Sequence, residues 1–545
     1  MLEIAHENTP ERKARGAFFT PAPLAKFIAD WAIRAPSDSV LEPSCGEAAF
    51  MSAAAIRLRE LGAAAPVVSG VDIHAESVRV AAELLRQHGA VPNLYVGDFF
   101  AQAPEPKFGA VIGNPPYVRY QQFSGEARTA ALEAALRQGV RLTGLASSWA
   151  AFTVHAAAFL APGGRLGLVL PAELLSVNYA AEIRRFLLKR FRSVRLVLFE
   201  QLIFPGVLED VVLLLAEGEG GADRFEVFQA RNADDLASIA NKAWTGYLPK
   251  GNEKWTQALI SGASLEAYEK VTLSNDFEVM LDWGETYLGA VTGNNDYFTL
   301  TRARAQSLKL PPSELVRISP PGSQHHRGLV FTEAGWEALA RAGKACYLFA
   351  PKDELSAGAR RLVASGEKTK VDDAYKCRMR SPWFKVPLVK RPDLIFTYMN
   401  HDRPRLLTNA ANVHVLNSLY GVSLAAKRRE IGRELLPIAM LNSASLLGAE
   451  IVGRSYGGGM LKHEPKEVDK LPMPSLALLK AAKKRLTLLA PQVAAYLRQA
   501  DIAPAVEIID RVLFTDILGY KADEVAALRA AREHLMQRRY SRAKG

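Results

Sequence analysis

The stretch Ala110-Val-Ile-Gly-Asn-Pro-Pro-Tyr-Val118 joins an apolar run, typical of a buried strand, to a loop with two consecutive prolines. Prolines fix φ and remove N–H donors, so the loop is rigid and its carbonyl groups stay free to accept hydrogen bonds. The Asn114 side-chain oxygen and the Pro115 carbonyl can therefore accept both protons of an exocyclic amine. The lone pair of an aromatic amine is delocalised into its ring, and accepting from both protons localises that pair for attack. The stretch predicts a strand followed by a catalytic loop for such an amine.

Tyr117 places a ring beside this loop, and a stacking ring is what a base extruded from a double helix requires. A turn that contains Asn-Pro-Pro-Tyr without this role is the alternative, since short motifs also arise by chance. The segments that precede the loop favour the catalytic interpretation.

Three earlier segments place an acidic residue at the end of a predicted strand. They are Val40-Leu-Glu-Pro-Ser-Cys-Gly-Glu47, Gly70-Val-Asp-Ile73 and Gly97-Asp-Phe-Phe100. Open α/β sheets bind nucleotides where their strands end. The sequence has neither G-x-G-x-x-G nor a Walker-type lysine loop, and acidic loops disfavour a pyrophosphate. A cationic cofactor is therefore favoured over a dinucleotide.

The residue types at these strand ends suit an adenosine group. Asp72 can accept hydrogen bonds from both ribose hydroxyls, and Asp98 can accept from an adenine amino group. Phe99 can lie against the adenine ring. Any α/β protein collects Asp and Gly at strand ends, so the prediction depends on three such segments in succession.

Apolar, β-branched runs alternate with helical patterns over about the first 215 residues, which is typical of a parallel sheet covered by helices. We predict a doubly wound, mostly parallel α/β sheet of the Rossmann-like type. Two helices are expected at Glu76–His88 and Ser148–Leu160, the second ended by Ala161-Pro-Gly-Gly. The expected strands are Ser39–Leu41, Val67–Asp72, Asn93–Val96, Ala110–Gly113, Gly167–Leu170, Val194–Phe199 and Val211–Leu215.

The charge pattern divides the chain further. The net charge of +11 consists of −7 over residues 1–300, +17 over residues 301–500 and +1 over residues 501–545. An acidic part that performs chemistry, joined to a basic part that holds a polyanion, is one interpretation, and a solvated basic surface is the other. We expect a catalytic domain at 1–221, a basic α+β recognition domain at 222–474 and a helical segment at 475–545.

Cysteine usage and hydropathy indicate the compartment. Cys45, Cys346 and Cys377 have spacings that exclude a disulfide framework and a four-cysteine zinc site. The first residues are polar, and no uncharged run reads as a membrane span. We expect a cytoplasmic protein with no membrane partner and no bound metal.

These motifs, in this order, resemble the gamma class of adenine-N6 DNA methyltransferases, which use S-adenosylmethionine. Gly16-Ala-Phe-Phe-Thr-Pro21 resembles the cofactor-contacting segment that opens that class. The resemblance covers residues 12–216 and implies direct transfer of a methyl group to N6 of an extruded adenine. It implies a catalytic loop of Asn114, Pro115, Pro116 and Tyr117. It also implies cofactor contacts from Thr20, Pro21, Glu42, Pro43, Ser44, Cys45, Gly46, Asp72, Ile73, Asp98, Phe99, Asn114, Pro116 and Phe152.

The expected substrate contacts lie in both parts of the chain. Tyr117 and Phe204 match the two aromatic residues that hold the extruded adenine in that class. In the basic part, Gly289-Ala-Val-Thr-Gly-Asn-Asn295 and Arg454-Ser-Tyr-Gly-Gly-Gly-Met460 resemble pieces of its target-recognition domain. Arg454, Tyr456 and Lys462 are the candidate DNA contacts there.

The stretch Lys376-Cys-Arg-Met-Arg-Ser-Pro-Trp-Phe-Lys385 interleaves basic and aromatic residues. This pattern fits a nucleic-acid cleft and fits a solvated strand edge equally well.

The leading hypothesis is a site-specific DNA adenine-N6 methyltransferase, a monomer that binds double-stranded DNA and accompanies a separately encoded restriction nuclease. A protein-glutamine or RNA amino-methyltransferase is one alternative, and a non-catalytic DNA-binding subunit is another. The long basic part argues against the first alternative, and the intact Asn114–Tyr117 loop argues against the second.

Overall fold

A computed structural model of the chain describes residues 20–46, 48–201, 203–204, 211–249, 254–352 and 354–541. The chain divides into two compact units, which meet in sequence between Leu259 and Ile260. Each unit is described by itself.

In the described part of the first unit, nine strands form one sheet in the order β3-β2-β1-β4-β5-β7-β6-β8-β9. Pairing is parallel from β3 through β5, and β7 runs antiparallel between β5 and β6. The doubly wound, mostly parallel sheet expected from the sequence is confirmed. The strands are Val40–Glu42 (β1), Val67–Asp72 (β2), Val91–Val96 (β3), Phe108–Gly113 (β4), Leu160–Pro171 (β5), Ser193–Phe199 (β6), Val211–Glu217 (β7), Phe225–Ala230 (β8) and Thr245–Tyr247 (β9).

Helices connect these strands. They are Ala22–Ala32 (α1), Ala49–Glu60 (α2), Ala75–Gln87 (α3), Gly125–Arg137 (α4), Ser148–Ala158 (α5), Glu173–Ser176 (α6) and Ala181–Arg190 (α7). The central strands β6 and β7 are buried along most of their length, which explains why they are continuous apolar runs in the sequence.

One expected helix end is wrong. Helix α5 ends at Ala158, and β5 starts at Leu160, because Leu160 pairs with Phe108. The residues Ala161-Pro-Gly-Gly164 form an irregular stretch inside β5, and regular pairing resumes at Arg165. They do not terminate a helix.

The expected boundary at Gly221 is also wrong, because two further strands extend the first unit. Strand β8 pairs in parallel with β6, and β9 pairs with β8. The Phe225 ring stacks on Trp255 with 4.1 Å between the ring centroids. Gly218, Gly220 and Gly221 all have positive φ, so the glycine-rich segment is a tight connection inside the unit rather than a linker.

The second unit is α+β, as expected. Its strands form sheets in the orders β11-β19-β16-β18-β14, β12-β15-β13, β17-β21-β20 and β10-β22. The strands are Phe277–Val279 (β10), Gly284–Leu288 (β11), Thr299–Leu300 (β12), Leu315–Arg317 (β13), Val330–Phe331 (β14), Tyr347–Phe349 (β15), Leu394–Phe396 (β16), Met399–Asn400 (β17), Leu406–Asn409 (β18), Tyr420–Leu424 (β19), Arg454–Tyr456 (β20), Met460–Lys462 (β21) and Pro472–Pro474 (β22).

The helices of this unit are Gly262–Thr272 (α8), Met280–Trp283 (α9), Asn295–Phe298 (α10), Arg302–Ser307 (α11), Glu333–Arg341 (α12), Ala357–Lys368 (α13), Tyr375–Arg378 (α14), Arg429–Ala439 (α15), Ser443–Val452 (α16), Pro465–Val468 (α17), Leu476–Arg498 (α18), Ala503–Asp510 (α19) and Ala522–Ser541 (α20). The expected helical C-terminal segment is therefore helical, and it packs within this unit, where Phe514 stacks on Phe277.

Within the described residues, no single helix combines the length and hydropathy of a bilayer span. The segments Ala426–Ala439 and Ser443–Val452, bent by 87° at their junction, meet that criterion only as a pair.

The unit boundary yields a prediction about truncated proteins. A protein ending at Leu259 should unfold at a clearly higher temperature than one ending at Gly221. The shorter protein exposes the apolar edge of β6 and loses buried Phe225, and loss of one buried Phe side chain costs about 3–5 kcal/mol. Circular dichroism melting of both proteins checks this, and equal melting temperatures would show that β8 and β9 are dispensable.

Candidate active site

The carboxyl ends of three neighbouring strands meet at one edge of the sheet. Strand β1 pairs in parallel with β2 and with β4, so the residues that follow them lie side by side. Glu42 ends β1, Asp72 ends β2, and Asn114 follows β4. The structure thus brings together three motifs that the sequence spreads over more than seventy residues.

The loop after β1 is held by hydrogen bonds that its backbone amides donate to β2. The Cys45 amide donates to the Val71 carbonyl at 3.0 Å, and the Gly46 amide donates to the Asp72 carboxylate at 2.8 Å. Gly46 has φ of +45°, which a glycine adopts without strain. The other Asp72 oxygen accepts from the His74 amide at 2.9 Å. Asp72 therefore stabilises both the loop after β1 and the loop after β2, a role that is not evident from the sequence.

Glu42 is buried beneath this loop. The Met51 backbone amide donates to its carboxylate, while its Oε2 atom is buried and has no hydrogen-bond partner among the described residues. Burial raises the pKa of the Glu42 carboxyl well above its usual range, and the charge of Asp72 raises this pKa further. A buried acidic oxygen without a partner suits a cationic ligand.

The Asn114 side chain is held with its oxygen unpaired. Its Nδ2 atom donates to the Thr20 hydroxyl at 3.1 Å, whereas its buried Oδ1 has no partner among the described residues. The Ser44 hydroxyl donates to the Asn114 backbone carbonyl at 3.3 Å. Hydrogen bonds thus join Thr20, Ser44 and Asn114, which the sequence had assigned to three separate motifs.

Ser148, at the start of α5, braces the far side of the same loop. Its hydroxyl donates to the Pro116 carbonyl and accepts from the Val118 amide at 2.9 Å, and its own amide donates to the Val118 carbonyl at 3.1 Å. The Tyr117 hydroxyl donates to the Val169 carbonyl of β5 at 2.9 Å. The role of Ser148 is not evident from the sequence, where its only signal is the pair of serines at the start of a predicted helix.

The segment after β3 places its aromatic residue in the core. Asp98 accepts from the Phe100 amide at 2.9 Å and so caps a short turn. The buried Phe99 ring packs against Phe152, with 4.9 Å between centroids, and its carbonyl bonds His155 Nε2 at 3.1 Å. Burial lowers the pKa of His155, while its bond to the Phe99 carbonyl raises it.

Ile73 differs from the other residues assigned to the cofactor, because 66% of it is exposed at the strand edge. An exposed aliphatic side chain next to Asp72 is available for contact with an apolar ring face. Pro21 directly precedes α1 and follows Thr20, whose hydroxyl accepts from Asn114. Gly16–Phe19 lie outside the described residues.

A part-buried cluster of polar side chains lies near the end of β5. The Tyr179 hydroxyl donates to Glu173 at 2.5 Å, and the Trp149 indole donates to the Tyr179 oxygen at 3.1 Å. These three residues join α5 to the chain that follows β5, and the sequence analysis did not identify them. Phe204, the second expected substrate ring, is buried, and residues 205–210 after it are outside the described part.

The candidate DNA contacts of the second unit lie on β20 and β21. Arg454 pairs with Glu467 at 2.9 Å, and Lys462 pairs with Glu464 at 3.2 Å. Tyr456 is exposed, and Lys462 Nζ lies 5.4 Å from its ring centroid. Both cations are therefore neutralised by neighbouring carboxylates, which the net charge did not reveal.

The described residues contain no cluster of three His, Cys, Asp or Glu side chains that could hold a metal ion. The free thiol of Cys45 is buried, and burial raises its pKa well above its usual range.

Comparison with known proteins agrees with this geometry. Residues 4–238 match the N-6 DNA Methylase family, and residues 252–514 match the C-terminal domain of the Type II methyltransferase M.Eco57I. The chain is a DNA adenine-N6 methyltransferase.

Curated relatives match most of this methyltransferase. M.AccI of Acinetobacter calcoaceticus is 23% identical over 479 residues, which cover 86% of this chain and 87% of M.AccI. M.XamI of Xanthomonas campestris pv. amaranthicola is 25% identical over 487 residues, which cover 86% of each chain. Both are Type II methyltransferases.

Among solved structures, the Type IIL restriction-modification enzyme MmeI in complex with DNA has a similar fold. The match has a TM-score of 0.57 and 12% identity, and it covers 94% of this chain and 74% of that chain.

The methyl donor of the enzyme is S-adenosylmethionine. The residues present fit this group. The partnerless Glu42 oxygen suits its cationic amino-acid part, and the acidic strand ends disfavour a polyphosphate.

The brace on the catalytic loop yields a prediction. Ser148→Ala should lower kcat of methyl transfer while binding of S-adenosylmethionine stays near the wild-type value, because the Val118 amide and Pro116 carbonyl lose their partner. An unsatisfied buried group costs about 1–3 kcal/mol, so a decrease of roughly five- to hundredfold is expected. Steady-state kinetics and calorimetry check it.

Ser148→Thr, which keeps the hydroxyl, should restore most of the activity. Thr153→Val is the matched control, since among the described residues the buried Thr153 hydroxyl bonds only to the Trp149 carbonyl of the same helix. If Thr153→Val lowered kcat as much as Ser148→Ala, the effect would belong to helix stability and not to the loop.

Proposed function

We propose that the loop Asn114–Tyr117 receives the N6 amino group of an adenine extruded from duplex DNA and prepares it to accept the methyl group. The observation that carries this proposal is the buried, unpaired Oδ1 of Asn114. Its amide nitrogen is engaged by Thr20, so the acceptor end of the amide faces away from that contact. An acceptor held ready in a buried site is most valuable where positive charge develops on a donor.

The second acceptor is the Pro115 carbonyl. Two acceptors on one amino group draw the nitrogen from planar towards tetrahedral geometry and localise its lone pair, which raises its nucleophilicity. Positive charge grows on the amino group as it reacts, and both acceptors stabilise that charge. The prolines keep the loop from rearranging when the base enters.

Tyr117 and Phe204 hold the extruded base by stacking. The Tyr117 hydroxyl is anchored to β5, which fixes the plane of the ring. Base–aromatic stacking contributes about 1–3 kcal/mol per base, enough to offset part of the cost of extrusion.

The neighbouring strand ends hold the cofactor. S-adenosylmethionine supplies, when bound, the electrophilic methyl group of its sulfonium. Glu42 accepts from its ammonium group through Oε2, and Asp72 accepts from ribose hydroxyls with the lone pairs left by its backbone bonds. Ile73, Asp98 and Phe99 contact the adenine part, with Thr20, Pro21, Pro43, Ser44, Cys45, Gly46, Pro116 and Phe152 around them.

In this proposal the enzyme is a monomeric, cytoplasmic gamma-class methyltransferase that modifies one short DNA sequence and protects it from a separately encoded nuclease. The similarity to Type II methyltransferases over 86% of the chain supports this setting. The match of residues 252–514 to the M.Eco57I C-terminal domain favours DNA over protein or RNA as the substrate.

The proposal predicts one modified sequence in cells. DNA from cells that express the enzyme should carry N6-methyladenine at a single short motif when sequenced by a method that reports this base by position. Asn114→Ala should reduce this methylation by about 10²–10³-fold or more, since it removes an acceptor needed most in the transition state. Methylation of cytosine, or of protein in place of DNA, would refute the proposal.

The purified Asn114→Ala protein should still bind S-adenosylhomocysteine. Thr20→Val provides the matched control, because it leaves the acceptor in place but removes the hydroxyl that orients it. An intermediate loss is expected for Thr20→Val. Activity of Asn114→Ala near the wild-type rate would mean that another residue accepts from the amine.

The raised pKa of Glu42 predicts pH-dependent cofactor binding. Burial raises the pKa of Glu42 in the free protein and a bound ammonium favours its carboxylate form, so binding releases a proton and affinity rises with pH. The increase approaches about tenfold per pH unit below the free-state pKa and levels off above it. Calorimetry with S-adenosylhomocysteine in buffers of different ionisation enthalpy measures the released proton.

Glu42→Gln should flatten this dependence, because it cannot titrate. Adenosine lacks the ammonium group, so its binding should release no proton in either protein. Equal proton release by the wild type and by Glu42→Gln would assign the titration to a different group.

A further inference from the structure

We propose that the segment Tyr375–Lys385, called here the basic turn, contacts duplex DNA. In this arrangement Lys376 and Arg378 bind phosphates, while Tyr375 and Met379 lie against sugars and base edges. The inference rests on the proposed function, since it takes DNA as the substrate, and it assigns the contact to a surface other than β20 and β21.

Between Asp373 and Asp393, every charged residue of the chain is basic. From Tyr375 to Pro392 the chain has six Lys or Arg residues and no Asp or Glu. Lys376 and Arg378 are exposed, and in the described part of the chain no carboxylate pairs with either. Unpaired cations bind phosphates without first breaking an ion pair, so they give a protein its salt-dependent affinity for nucleic acid.

Two large apolar side chains stand among these cations. Tyr375 is 64% exposed and Met379 is 71% exposed, and they lie four residues apart on the same turn. Lys376 Nζ lies 5.5 Å from the centroid of the Tyr375 ring. A single exposed apolar residue is ordinary, but an aromatic and an aliphatic side chain flanked by cations are what proteins place in a DNA groove.

The exposed residues stand on a rigid base. The part-buried Arg380 guanidinium donates to the Thr292 carbonyl at 2.7 Å and to the Val291 carbonyl. Buried Cys377 packs on Gly293, where an added Cβ would lie 3.1 Å from the sulfur. Gly293 has φ of +90°, so the position needs a glycine both for its backbone and for this contact.

The far end of the basic turn is anchored as well. The Trp383 indole donates to Glu367 at 3.2 Å, and its ring packs on Tyr297 with 5.7 Å between centroids. A Cβ on Gly366 would lie 2.5 Å from the Trp383 ring, so helix α13 admits the ring only at a glycine. A surface fixed at both ends holds its contacts in register with the DNA at little entropic cost.

Comparison with the strand pair β20–β21 favours the basic turn as the surface that contacts DNA. Arg454 and Lys462 each have a carboxylate partner within 3.2 Å, so their charges are largely cancelled before DNA arrives. Lys376 and Arg378 are exposed and have no carboxylate partner among the described residues, and two exposed apolar side chains lie in the same short segment. Duplex DNA offers a partner to each kind of group: its phosphates can bind the cations, and its sugars and base edges can contact the apolar side chains.

The experiment uses full-length enzyme variants and a fluorescein-labelled duplex of about 30 base pairs that carries the methylated motif, with a scrambled duplex beside it. The charge variant is Lys376→Gln with Arg378→Gln, and the apolar variant is Tyr375→Ala with Met379→Ala. The matched charge control is Lys480→Gln with Lys484→Gln on α18, two exposed cations of the same unit. The matched apolar control is Leu488→Ala, whose side chain is 71% exposed.

For the charge variant, binding of both duplexes should weaken, and the slope of log K against log salt should decrease by about 2, since each lost phosphate contact removes about 0.9. The apolar variant should weaken binding by roughly five- to hundredfold with the slope unchanged. All variants should bind S-adenosylhomocysteine as the wild type does, and both controls should bind DNA as the wild type does.

The outcomes separate the two proposals. If the wild type methylates adenine and the variants bind DNA as their controls do, the basic turn does not contact DNA and the inference is overturned. If the wild type methylates no adenine in any DNA, the proposed function itself fails, whatever the variants do. Equal weakening by the variants and their controls would show that the effect does not depend on the basic turn, and it would also overturn the inference.

Discussion

The hydrogen bond from the Asn114 amide nitrogen to the Thr20 hydroxyl decides which end of that amide faces the reacting amine. With the amide reversed, two donors would face each other and the reaction would lose its acceptor. A buried Oδ1 without a partner costs about 1–3 kcal/mol, and hydrogen bonds that hold the loop from several sides offset this cost. Ser44 binds the Asn114 carbonyl, and Ser148 binds the groups on either side of Tyr117. An acceptor that is already oriented needs no reorganisation when the base arrives.

The two acidic residues at this edge of the sheet have different roles. Asp72 stabilises the neighbouring loops, and Glu42 is available to bind a ligand. Both oxygens of Asp72 accept from backbone amides, so its charge shapes the loops after β1 and β2. Glu42 lies deeper, next to that charge, and one of its oxygens has no partner among the described residues. Desolvation and the neighbouring carboxylate both oppose its ionisation, and a bound cation relieves both. The acidic edge is therefore selective for a cationic ligand, which is consistent with a sulfonium cofactor and not with a dinucleotide.

The sequence was most informative where burial imposes a pattern on it. Strands β6 and β7 are largely buried, mostly apolar runs, and both were predicted within two residues of their observed bounds. The domain boundary was misplaced because the glycines at 218–221 look the same in a linker and in a tight turn, and only the pairing of β8 with β6 distinguishes the two. Thr20 and Ser148 orient the catalytic loop from 94 and 30 residues away, and contacts of that separation leave no local pattern.

The basic half shows why a net charge is a weak guide to a binding surface. Asp393 pairs with Arg429 and Arg433 at 3.2 Å, and Glu434 pairs with Lys483 at 2.7 Å. Screening at physiological salt restricts an exposed charge to about 8 Å, so a phosphate responds to the cations near it and not to the total. What distinguishes Tyr375–Lys385 is a local excess of cations on a segment that Arg380 and Trp383 fix to the rest of the unit. Such a surface can position DNA as well as attract it, because rigid phosphate contacts set the register in which base edges are read.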